Sequence, residues 1–253
     1  MCGIWVSIRS KEQSDTQPSD ECACLLQRRG PDSQRVHKHH PITFLSTVLS
    51  LRGDDNGVHA QPLVDDNQSV LCWNGEAWKI AGEEVRGNDT EVVFGLFLRA
   101  VSSSSSSLLE CGGNHTTTAA DDRGGHDTGQ ATTIRRFSRA IGTISGPFAF
   151  VFYDALHSLL FYGRDCLGRR SLLHRYDDGN NLTICSVCDG DDFEEIDGLH
   201  VVDLSSNNHD HTCIPWTRPG EEEEEDDDDE GFALVRVYAK KKKKVSQKIA
   251  DTR

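Results

Sequence analysis

The chain opens on an alternation: Ile4, Val6 and Ile8 are apolar, with Trp5, Ser7 and Arg9 between them. A period of two is what a strand produces when successive side chains point to opposite faces, so a strand with one well-buried face is expected here. After a polar stretch, a short helix is expected over residues 21–29, capped by Asp20, with Leu25 and Leu26 inward and Gly30-Pro31 ending it. Residues 43–50 and 69–73 read as strands, the second running directly into Asn74-Gly75-Glu76. Asn88-Asp89-Thr90-Glu91 opens an amphipathic helix in which Val92, Val93, Leu96, Phe97 and Ala100 share a face. Ile134, Phe137, Ile141 and Ile144 then recur at near-helical spacing. The apolar runs 148–153 and 159–162 flank a tight turn and read as a hairpin. A charged, glycine-bounded loop over 163–170 leads to strands over 171–176 and 182–187, joined by an Asp-Gly-Asn turn, and 199–204 is read as the last strand.

Between these elements the composition changes. Residues 102–133 collapse into serine, threonine, glycine and aspartate. So little apolar surface cannot offset the entropy of ordering, and the stretch reads as a disordered insertion within one domain. Beyond Trp216 come ten acids at 221–230, an apolar patch at 232–238 and a lysine run at 240–244. Blocks of like charge make residues 217–253 a charged disordered tail, with the lysines read as pairing with the acids rather than as a nuclear-import signal. A length of 253 residues otherwise suits one sizeable domain.

The net charge of -14 gives a nucleic-acid partner or an anionic membrane no global electrostatic support. No apolar stretch approaches the roughly 20 residues of a membrane span, and no signal peptide is evident. Nine cysteines, an odd number without regular spacing, point to reduced thiols and a cytoplasmic protein. Cys22 and Cys24 with His37, His39 and His40 lack the spacing of a zinc site, and Cys185-x-x-Cys188 has no second pair. Neither a metal nor a cofactor is therefore expected.

The chemistry concentrates at Cys2. Removal of Met1 would leave a thiol and a free α-amine on one residue. The thiol is a nucleophile, and the amine, with an ordinary pKa of about 7.7–8.0, can act as its base near neutral pH. Gly3 lets the backbone pass close to a substrate. Asn74 and Gly75 read either as a turn or as two donors converging on an oxyanion. Asp89 reads either as an N-cap or first-turn acid, or as the partner of a substrate ammonium.

Taken in order, Cys2-Gly3-Ile4, Arg29-Gly30-Pro31-Asp32, Leu51-Arg52-Gly53, Gln61-Pro62, Trp73-Asn74-Gly75-Glu76, Asn88-Asp89-Thr90-Glu91, Gly146-Pro147-Phe148-Ala149-Phe150 and Gly163-Arg164-Asp165 form a series. The series resembles the glutaminase domain of asparagine synthetase, a class II glutamine amidotransferase. Within that family Gly168-Arg169-Arg170-Ser171-Leu172-Leu173 stands out, with serine where asparagine synthetases usually carry proline.

The resemblance implies an α+β N-terminal-nucleophile hydrolase fold, a four-layer αββα sandwich over residues 2–204. It implies Cys2 as nucleophile, Asn74 and Gly75 as the oxyanion hole, and Arg52, Glu76 and Asp89 as the glutamine-binding set, Arg52 taking the α-carboxylate and Asp89 the α-ammonium. Glutamine would be hydrolysed to glutamate and ammonia through a thioester. The ammonia would serve a synthetase domain or subunit in asparagine biosynthesis, since the chain itself carries no Ser-Gly-Gly-x-Asp-Ser loop and no synthetase domain. The alternative is a catalytically weak or inactive module that binds glutamine or a protein.

Overall fold

Alternate residues of one strand, Phe148–Asp154, enter two different cores, and that division orders the molecule. A computed structural model describes residues 1–9, 17–51, 58–102, 128–190, 192–205 and 210–215. In chain order the elements are β1 (Gly3–Ile8), α1 (Asp20–Arg29), β2 (Ser33–His39), β3 (Ile42–Val48), β4 (Leu63–Val64), β5 (Val70–Gly75), β6 (Lys79–Ile80), β7 (Glu83–Glu84) and α2 (Asp89–Val101). They continue with α3 (Thr128–Gly142), β8 (Ile144–Ser145), β9 (Phe148–Asp154), β10 (Leu159–Arg164), β11 (Leu173–Tyr176), β12 (Leu182–Cys185), β13 (Glu194–Glu195), β14 (Gly198–Asp203) and β15 (His211–Pro215).

One six-stranded antiparallel sheet runs β13-β11-β12-β1-β3-β2, and a second runs β15-β14-β10-β9-β5-β4. In β9, Ala149, Val151 and Tyr153 face the first sheet and meet Ile4, Val6 and Phe44 there. Phe148, Phe150 and Phe152 face the other way, onto Phe97 of α2 and Phe137 of α3. On the far side of the first sheet, Trp5, Leu45 and Cys185 pack under Cys22 and Leu26 of α1. The layers are therefore α1, sheet, sheet, α2 with α3: the expected αββα sandwich. Both faces of the central strands are covered, so all of β1 is buried rather than one face of it.

Several local expectations change. The cap of α1 is Ser19, whose hydroxyl accepts from the Cys22 amide at 3.1 Å, while Asp20 lies in the first turn. Residues 33–39 form a strand that the histidine-rich sequence conceals: β2 is an edge strand held by its ladder to β3, and an edge position needs no apolar face. Asn74 and Gly75 end β5, paired with Ala149 and Phe148, instead of forming a turn. Helix α3 starts at Thr128, inside the expected insertion; Phe137 and Ile141 bury against the second sheet's outer face despite the polar composition around them. Ile144 leaves that helix for β8. Residues 199–204 are not the last strand, since β15 pairs with β14 and carries the fold to Pro215. Residues 103–127 and 216–253, most of the expected insertion and the tail, lie outside the described residues.

Gly146 makes the junction between β8 and β9 possible. Its φ is +145°, and a Cβ there would collide with the carbonyl of Glu76. The amides of Glu76 and Trp78 bond to Pro147 and Ser145 across the same junction, at 2.9 and 2.8 Å. Gly146→Ala is expected to cost about 3 kcal/mol or more, as strained backbone and displaced strand bonds combine. Urea unfolding of the purified variant measures it.

Candidate active site

Cys2 immediately precedes β1, and its backbone is fixed by contacts remote in sequence. Arg29 Nε donates to the Cys2 carbonyl at 3.2 Å, and Arg29 Nη1 donates to Ser171 Oγ at 3.0 Å. Ser171 donates in turn to the Ser186 carbonyl at 2.8 Å. Ser186 closes the ring: its hydroxyl accepts from the Ile4 amide at 3.1 Å and its own amide donates to the Ile4 carbonyl at 2.9 Å. Gly3 is needed for close approach, because a Cβ there would lie 2.5 Å from Thr47 Oγ1 and 2.9 Å from Leu26 Cδ2. The thiol itself is half-buried, and its hydrogen-bond partner among the described residues is the Leu49 carbonyl at 3.9 Å. Burial pushes the Cys2 thiol up, so the resting sulfur is protonated and needs a base.

A pocket opens beside this thiol, lined by Cys2, Asn74, Gly75, Glu76, Asp89 and Arg170 among others. Asn74 is 1% exposed, and among the described residues its Nδ2 has no hydrogen-bond partner. A buried donor left unsatisfied costs about 1–3 kcal/mol, so its persistence in a cavity wall points to an acceptor that arrives from outside. Gly75 lets β5 approach the start of β9: a Cβ would stand 2.7 Å from Phe148 Cβ and 2.8 Å from the Pro147 carbonyl.

The binding residues implied by the resemblance divide. Asp89 is buried in the first turn of α2, whose N-cap is Asn88. Its Oδ2 accepts from Trp73 Nε1 at 3.2 Å and from the Ala77 amide at 2.8 Å, so it ties α2 to the strand that carries Asn74. Neither bond uses Oδ1. Glu76 lines the pocket and pairs with Arg170 Nη2 at 3.2 Å. Arg52 lies outside the described residues, although its neighbour Leu51 lines the pocket.

Arg29, Arg170, Ser171 and Ser186 went unassigned in the sequence. Arg29 sits in a motif of the series, but nothing local says that it reaches back to Cys2. Arg170 is placed by Asp165, a buried acid whose Oδ2 accepts from the Phe148 and Arg169 amides at 3.1 Å each. Its Oδ1 accepts from Arg169 Nε at 2.9 Å. Gly163-Arg164-Asp165 is thus the foundation of the loop that presents Arg170 to the pocket. Gln61 is structural in the same way, taking the Trp73 amide at 2.7 Å.

No family model matches the chain. Asparagine synthetase domain-containing protein 1 of Bos taurus is 28% identical over 233 residues, 85% of this chain and 31% of that protein. The Gallus gallus protein of the same name is 31% identical over 193 residues, 73% of this chain and 25% of that protein. The chain is homologous to asparagine synthetase domain-containing protein 1. It spans about a third or less of the length of these relatives. Among solved structures, glutamine phosphoribosylpyrophosphate amidotransferase from B. subtilis matches at 13% identity with a TM-score of 0.48, over 86% of this chain and 50% of that one. No helix among the described residues is long and apolar enough to cross a membrane.

Proposed function

We propose that this chain is a glutamine amidotransferase domain that hydrolyses glutamine to glutamate and ammonia. The unsatisfied Asn74 amide donor in the pocket wall shared with Cys2 is the observation that carries this reading. Removal of Met1 frees the α-amine of Cys2. In the reaction the sulfur attacks the side-chain amide carbon, and the amine takes the thiol proton and delivers it to the departing nitrogen, which leaves as ammonia. The tetrahedral oxyanion is held by Asn74 Nδ2 and the Gly75 amide. Water then cleaves the γ-glutamyl thioester, the amine acting as base again, and glutamate leaves. At the other end of the substrate, Asp89 Oδ1 takes the α-ammonium, Arg52 takes the α-carboxylate as a bidentate fork, and Glu76 with Arg170 borders the same site.

The homology extends the reading: the ammonia feeds an asparagine-synthetase-like domain or subunit, in asparagine biosynthesis. A thiol nucleophile needs a reducing compartment, which suits the cytoplasm. The test is ammonia release from glutamine by protein whose N-terminus is verified as Cys2, beside the same chain with Met1 retained. Turnover is expected only with Cys2 first. Glutamine binding without turnover by the processed chain would instead establish a binding module.

The pH profile follows from the amine. Burial pushes the α-amine of Met1 below its ordinary range; Cys2 and Asp32 oppose the shift, while Arg29 and Arg170 act with it. After removal of Met1, the Cys2 amine lies next to Arg29, whose Nε donates to the Cys2 carbonyl at 3.2 Å, and that positive charge disfavours the protonated amine. Only the neutral amine is a base, so kcat/KM should rise with pH, with its midpoint below the about 7.7–8.0 of a free α-amine. In Arg170→Gln the midpoint should move upward, which a pH titration of initial rates reads directly.

A further inference from the structure

At the edge of the second sheet, away from the thiol pocket, strand pairing brings together residues that the sequence keeps apart. His200 of β14 stands directly opposite Cys213 of β15. Asp197, just before β14, is on the same side: His200 Nε2 is 3.4 Å from Asp197 Oδ1 and 3.6 Å from Cys213 Sγ, and Sγ is 3.7 Å from that Oδ1. Around a tetrahedral zinc ion, bonds of about 2.3 Å to sulfur and 2.0–2.2 Å to nitrogen and oxygen put neighbouring donors roughly 3.3–3.6 Å apart. The triangle of sulfur, nitrogen and oxygen therefore already has the size of one face of such a site.

The surroundings also accommodate the tautomer that metal binding requires. His200 Nδ1 lies 2.9 Å from His211 Nε2, and His211 Nδ1 lies 3.2 Å from Tyr176 Oη. Tyr162 Oη joins His211 Nε2 at 3.2 Å and His174 Nδ1 at 2.9 Å. With His211 protonated on Nδ1 and donating to Tyr176, its Nε2 accepts from His200 Nδ1–H. The lone pair of His200 Nε2 then faces Asp197 and Cys213. A ring nitrogen oriented by its second hydrogen bond is what metal-binding imidazoles need. His200 is buried while the Asp197 side chain is 85% exposed, so an ion has an open approach and a fourth position for water.

We propose that Asp197, His200 and Cys213 form a binding site for a zinc-like divalent ion, with His211 and the two tyrosines orienting His200. The mixed sulfur, nitrogen and oxygen donors suit zinc or cobalt and disfavour magnesium or calcium. The ion clips β15, the outermost strand, to the turn that enters β14.

The test is titration of the full chain with cobalt(II) alone, following the thiolate-to-cobalt charge-transfer absorption, and then displacement by zinc(II) alone. Saturation at one ion per chain is expected. The band should vanish in Cys213→Ser and persist in Cys2→Ala, which removes the competing thiol beside the N-terminus. Asp197→Ala, at an exposed position that leaves the core intact, and His211→Phe should each weaken binding about 10–100-fold. A band that survives Cys213→Ser, or is lost with Cys2, or no saturable binding by the parent chain, would overturn the proposal.

Discussion

Cys2→Ala is expected to abolish ammonia release from glutamine, a loss of about 10⁴–10⁶ in turnover such as removal of a nucleophile produces elsewhere. Among the described residues no other thiol lines the pocket: the remaining cysteines, including Cys72 and Cys185, lie outside it. Stability should change by less than about 1 kcal/mol, because the sulfur is half-buried and has one weak polar contact at 3.9 Å. Steady-state assay and thermal unfolding on one sample separate these effects. A Cys2→Ala chain that keeps the parent's rate would place the chemistry elsewhere.

Asn74→Ala is expected to lower kcat by about 10²–10³ with little change in KM, since a donor aimed at the oxyanion is used mainly in the transition state. Its stability response should run against the usual trend for a buried position. Truncation loses packing but also removes a donor whose desolvation is uncompensated, and relief of about 1–3 kcal/mol offsets the lost contacts. A variant at least as stable as the parent yet far slower is the expected signature. A marked loss of stability with unchanged kcat would mean that Asn74 is a structural residue of β5 and no more.

Much of this site was legible in the sequence, though unevenly. The position of Cys2 and the ends of β5 and α2 are local features, set by a chain start, an apolar run and an N-cap motif. The hairpin of β9 and β10 was legible for the same reason, as apolar runs around a turn. The two-sheet sandwich was implied by the resemblance more than by periodicity, because strands buried on both faces lose the alternation that marks them. Arg29 and Ser186 could not be read: their contacts with the N-terminal segment span sequence separations of 27 and 182 residues. Strand β2 was hidden because an edge strand takes its stability from ladder bonds that carry no side-chain signature. The pairing of His200 with Cys213 depends on the register of β14 against β15, which no spacing rule encodes.

The clamp on Cys2 has a consequence for when the chain can act. A thiol and an amine on one residue exist from the moment Met1 is removed, even on a growing chain, yet Arg29, Ser171 and Ser186 must all arrive before the backbone beneath them is held. The last of these lies just after β12, so most of the domain has to be synthesised and docked first. If the proposed function holds, hydrolysis is a readout of completed folding: a nascent or misfolded chain carries the thiol and the amine but is expected not to consume glutamine.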